Sequence, residues 1–77
     1  MNILKIEIQN NDKVERFKQM AYSNDNEFFT ALVTLCDELG VEVPLWTTNE
    51  ERIVEKKGHL ELEMGNGMVL WIYSFME

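Results

Sequence analysis

The sequence predicts a small α+β domain in which an antiparallel sheet, made of an N-terminal strand and a C-terminal β-hairpin, carries an amphipathic helix over 24–39 on one face. Three observations lead there. Apolar residues alternate with polar ones at the start of the chain, a stripe at helical spacing follows in the middle, and two apolar runs flank Gly65-Asn66-Gly67 near the end. The 77 residues make one domain, 1–77. Apolar residues supply 45% of the chain, enough for one small core and against disorder.

The first element is a strand over 2–9. Leu4, Ile6 and Ile8 fall on one face and Lys5, Glu7 and Gln9 on the other, the period of two that marks a half-buried strand. Asn10-Asn11-Asp12 breaks it, because these side chains bond local backbone and favour turns. Residues 13–22 then admit two readings. Val14, Phe17, Met20 and Ala21 have helical spacing, and Asp12 with Glu15 forms a capping box, so a helix is favoured. As a strand the same residues alternate poorly, with Val14 and Phe17 on opposite sides. A hairpin back along the first strand is the alternative.

Residues 24–39 are the clearest helix. Asn24 caps it with Glu27 three residues on. Phe28, Leu32, Leu35 and Leu39 form one stripe, which Phe29, Val33 and Cys36 widen. Gly40 stands where a left-handed residue ends a helix. Val41-Glu42-Val43-Pro44 is an extended exit, since Pro44 forbids helix continuation and biases Val43 to extended geometry. Thr47 or Thr48 caps a second, short helix, with Glu50 and Glu51 at its start, Lys56 and Lys57 at its end, and Gly58 as its stop. Only Ile53 and Val54 are apolar within it, so an edge strand over 51–55 is the alternative.

The last 19 residues read as a hairpin. Leu60, Leu62 and Met64 alternate with His59, Glu61 and Glu63. The strand from Met68 to Phe75 is apolar on both faces, with Met68, Leu70 and Ile72 on one and Val69, Trp71, Tyr73 and Phe75 on the other. A two-residue Asn66-Gly67 turn puts Leu60 and Leu62 beside Trp71 and Tyr73; a three-residue Gly65-Asn66-Gly67 loop puts them beside Leu70 and Ile72. Either way one apolar row of the last strand lies on the face of Glu61 and Glu63. Left uncovered, such a patch marks an interface.

The run from Glu27 through Leu35-Cys36, Gly40 and Val43-Pro44-Leu45-Trp46 resembles a group of short bacterial proteins in which a helix ends in Leu-Cys and a Val-Pro-x-Trp-like exit follows. The likeness covers about a quarter of the chain. It implies a hairpin rather than a helix at 13–22, and no activity comes with it.

The net charge of −7 is unevenly spread: residues 1–18 carry +1, residues 19–51 carry −7 and residues 52–77 carry −1. An acidic field repels phosphate backbones, so direct nucleic-acid binding is not expected. It suits a basic partner, or solubility alone. No apolar run approaches the roughly 20 residues of a membrane span, and the first eight residues do not read as a signal peptide. The single Cys36 cannot close an internal disulfide, which fits a cytoplasmic setting.

Few residues can carry chemistry. Cys36 lies on the apolar arc of the helix beside Asp37 and Glu38, a setting for a buried structural thiol rather than a nucleophile. His59, Glu61 and Glu63 share one strand face and offer metal-ligand or acid–base types, but one strand does not close a coordination shell and a solvated face has the same pattern. Gly65-Asn66-Gly67 lacks the helix and the lysine of a phosphate loop. The sequence therefore offers no catalytic, cofactor or metal site. It points to a small acidic protein-interaction domain, and to a homodimer as its simplest form. The candidate interface is Leu70, Trp71, Ile72, Tyr73 and Phe75 of the last strand. Two alternatives stand beside it: an acidic inhibitor or phosphate mimic of a basic partner, and an enzyme or small-ligand binder with a site between subunits.

Overall fold

The computed structural model describes residues 2–65 and 67–76. Its elements are β1 (Asn2–Asn10), β2 (Lys13–Tyr22), α1 (Asp25–Leu39), α2 (Thr48–Lys57), β3 (His59–Gly65) and β4 (Met68–Met76). The strands form one antiparallel sheet in the order β2-β1-β4-β3, so the N-terminal and C-terminal hairpins meet along β1 and β4.

Residues 13–22 are a strand, not the helix their spacing favours. Asn11 and Asp12 both take positive φ, 52° and 66°, which is what the two central residues of a type I′ hairpin turn require. Asn10 pairs with Lys13 directly across them. The misleading spacing comes from a bulge. The register shifts between Ile8 and Gln9, so that Val14 faces Gln9 and Phe17 faces Glu7. One extra residue in β2 thus brings Val14 and Phe17, three apart, to the same side of the sheet.

A second bulge settles the C-terminal register. Gly65 pairs with Met68 around a two-residue turn, whose Asn66 lies outside the described residues. Glu63 then pairs with Val69, leaving Met64 as the extra residue. Leu62 meets Leu70 and Leu60 meets Ile72. The turn is the shorter of the two expected, and the bulge gives it the pairing of the longer one.

The helices end where local chemistry says they should. At α1 the Glu27 N–H donates to the Asn24 side chain at 3.0 Å, and the Ser23 N–H donates to the Glu27 carboxylate at 2.8 Å. Gly40, with φ 73°, closes α1 in the left-handed region, and the Val41 N–H reaches back to the Cys36 carbonyl. At 48–57 the helix forms rather than the edge strand, under a reciprocal cap between Thr47 and Glu50.

The core lies on one face of the sheet. Leu4, Ile6 and Ile8 of β1 and Leu70 and Ile72 of β4 cluster with Phe28, Ala31, Leu32, Leu35, Cys36 and Leu39 of α1. α1 packs on β1 and β2; α2 packs toward β3 and β4 and adds the buried Val54. The α1 stripe is narrower than its sequence implies: Phe29 and Val33 stay half exposed on its outer arc, whereas Cys36 is buried.

Leu32 is fully enclosed in this core. Replacing it with Ala should destabilise the fold by about 2–5 kcal/mol, whereas Phe29→Ala should cost about 1 kcal/mol or less. Urea unfolding followed by tryptophan fluorescence checks both, and equal losses would contradict the placement of α1.

Candidate interaction face

Because β1 alternates strictly, the residues between its core positions emerge on the far side of the sheet. Ile3, Lys5, Glu7 and Gln9 stand there, and register carries the same face across the other strands. Phe17, Glu7, Trp71 and Glu61 make one row, and Gln19, Lys5, Tyr73 and His59 the next. Both helices pack against the opposite face, so this one is open.

The open face has an aromatic half and a polar centre. His59 stacks on Trp71 with ring centroids 5.0 Å apart and planes 14° from parallel, and Trp71 stacks on Tyr73 at 5.8 Å and 23°. Phe75 continues the line along β4. On the β2 side, Phe17 lies under the Lys5 ammonium, 4.6 Å from its ring centroid, a cation–π contact. Phe17 is 55% exposed, Val14 48% and Phe75 43%, high values for side chains of this type.

Glu7 sits in the middle of the face and is only 8% exposed. Lys5 Nζ lies 3.1 Å from one carboxylate oxygen, Gln9 Nε2 donates to the other at 3.0 Å, and the Tyr73 hydroxyl is a third partner. Burial pushes the Glu7 carboxyl up, but the hydrogen bonds from Lys5, Gln9 and Tyr73 and the charge of Lys5 outweigh it and hold the group below its ordinary value. Burial, with the neighbouring carboxylates of Glu7 and Glu61, pushes the Tyr73 hydroxyl up, so it stays a neutral donor near pH 7. The central polar stripe is therefore internally satisfied.

The residues singled out from the sequence divide between the two faces. Trp71, Tyr73 and Phe75 are on the open face. Leu70 and Ile72 are not available to a partner: they point to the opposite side, into the core cluster, 3% and 0% exposed. The period of two forbids all five from sharing one surface. Phe17 and Val14 join the face unannounced, because nothing in a single sequence marks the β2 bulge. The signal that was readable is the Lys5-Glu7-Gln9 alternation of β1, which defines the face's centre.

His59 and Glu61 do come together, Nε2 to carboxylate at 3.6 Å, and Glu63 follows on the same side. No group of three or more His, Cys, Asp or Glu is arranged to hold a metal ion among the described residues. Cys36 is enclosed in the core and burial pushes its thiol up, against thiolate chemistry. No helix among the described residues is long and apolar enough to cross a membrane.

No protein-family model matches the chain, and comparison with curated proteins and with solved structures gives no match.

The geometry around Glu7 makes a pH prediction. Its folded-state carboxyl titrates below the ordinary 4.5, so its stabilising contribution is complete above that value and is lost as pH falls through the folded-state value. Glu7→Gln should therefore be less stable than wild type near pH 7, with the gap closing as the pH is lowered through the acid range. Urea midpoints at several pH values measure the gap, and a gap independent of pH would mean that Lys5 does not hold the carboxylate.

Proposed function

We propose that this chain is a protein-interaction domain that binds through the open face of its sheet. The observation that carries the reading is the uncovered face itself, where half-exposed Phe75 extends the His59-Trp71-Tyr73 stack and half-exposed Phe17 and Val14 stand across the polar row of β1. Exposed aromatic and apolar surface of this kind is characteristic of contact sites. Trp and Tyr are the side chains that most often anchor such contacts.

Three further features support it. The stacked rings are already held by one another, so little rotamer freedom is lost on binding. Glu7, the one buried charge on the face among the described residues, has its partners within the chain, so covering it strands no unpaired carboxylate. The face is acidic, with Lys5 set against Glu7, Glu61 and Glu63, which favours a protein over a nucleic-acid or anionic-membrane partner. A cytoplasmic setting belongs to the same reading, supported by the free, buried Cys36.

Site-specific photocrosslinking in the host cell tests the proposal. Phe17→benzoylphenylalanine on the open face should form a protein adduct, and Thr30→benzoylphenylalanine on the exposed side of α1 should not. Equal labelling at both positions, or none at position 17, would sink the reading.

A further inference from the structure

We infer that the occupant of the open face is an arginine-bearing segment of another protein, its guanidinium stacked on the His59-Trp71-Tyr73 rings and paired with Glu61 and Glu63, and an apolar side chain of the same segment seated on Phe17. The inference rests on the open face being a binding surface, and it adds the chemistry of the partner.

Register is the first argument. Phe17, Glu7, Trp71 and Glu61 stand directly opposite one another on successive strands, so ring and carboxylate alternate twice along one row. The first pair holds a cation of the chain itself. Lys5, two residues before Glu7, places its ammonium 3.1 Å from that carboxylate and 4.6 Å from the Phe17 ring centroid. The second pair has His59 at the matching position, two residues before Glu61, stacked on Trp71 with Nε2 3.6 Å from the carboxylate. An imidazole carries charge only when protonated. With His59 neutral, the second pair is a ring and a carboxylate without a cation.

Charge gives the sign of the partner. Glu63, on the same side of β3, adds a second carboxylate next to Glu61. Both are exposed, and among the described residues neither is ion-paired to a Lys or Arg. Lys13, Arg16 and Lys18 do not balance them. They stand opposite Asn10, Ile8 and Ile6 on the helix side of β2, where Lys18 pairs with Glu38 at 3.7 Å. Lys57, at the end of α2, lines a hollow beside β3 with Glu61 but is not paired with it. The complement of this flank is a cation brought by the partner.

Geometry selects arginine. The three rings are nearly parallel, 14° between His59 and Trp71 and 23° between Trp71 and Tyr73. A planar guanidinium extends such a stack, and Trp is the ring that attracts cations most strongly. Its fork of donors also suits carboxylates, whereas an ammonium is a point charge with no flat face. Spacing fixes the rest of the segment. Phe17 and Glu61 are three strand spacings apart, about 14 Å, which an extended chain crosses in about four residues. The partner therefore carries a large apolar residue and an arginine about four residues apart.

NMR titration of the isotope-labelled full chain with the peptide acetyl-Phe-Ser-Gly-Ser-Arg-amide tests this chemistry. Shifts should concentrate at Phe17, Glu61, Glu63 and the Trp71 indole. Replacing the arginine with citrulline, which keeps the shape and removes the charge, should weaken binding roughly tenfold. In E61Q/E63Q the two peptides should bind alike, because the preference for charge belongs to those carboxylates. D37N/E42Q, the same change of charge away from the open face, should keep the preference. No binding, equal affinity for the two peptides, a preference that survives in E61Q/E63Q, or shifts confined to the helix side would overturn the inference. The crosslink from position 17 separates that failure from failure of the face. An adduct with a second copy of the chain, or with a segment lacking arginine, overturns the inference and leaves the open face standing as a binding surface. No adduct at all overturns both.

Discussion

The pairing of β1 with β4 holds this fold together. An isolated two-stranded hairpin is marginal in water, and the chain contains two of them, separated by both helices. Joined along their inner strands they become a four-stranded sheet with a continuous apolar row, Leu4, Ile6 and Ile8 beside Leu70 and Ile72. That row is the floor on which α1 packs. Its members come from the two ends of the chain, so most of the core forms only when those ends meet. Ile6, opposite Ile72 and fully enclosed, stands at the centre of the contact.

The same pairing dictates the open face. A strand buried on one side must present its alternate residues on the other, and β1 presents Lys5, Glu7 and Gln9. These are bonded to one another and to Tyr73, so the middle of the face is polar yet saturated. Its flanks are aromatic because β4 is apolar on both sides and the β2 bulge adds Phe17 and Val14. A strand that served the core alone would not need Trp71, Tyr73 and Phe75 on its second side.

The edges point the same way. Exposed edge strands invite further strands unless they are interrupted. β2 carries Lys13, Arg16 and Lys18 and a bulge; β3 is short, acidic and bulged at Met64. Both devices discourage growth of the sheet sideways while leaving its face free.

Much of this was legible in the residues. The β1 alternation, the α1 stripe from Phe28 to Leu39, the caps at Asn24, Thr47, Gly40 and Gly58 and the C-terminal hairpin all follow from patterns that act over a few positions, and local physics specifies them. What the sequence alone could not determine was which side of the sheet each residue takes after an irregularity. Val14 and Phe17 read as a helix because a bulge, invisible in composition, offsets their period. Leu70 and Ile72 read as an interface with Trp71, Tyr73 and Phe75 because a strand apolar on both sides does not say which side the helix will cover. Those choices belong to long-range pairing: β1 against β4 sets the core face, the bulges set the registers of β2 and β3 to match it, and the residues left on the far side become the surface.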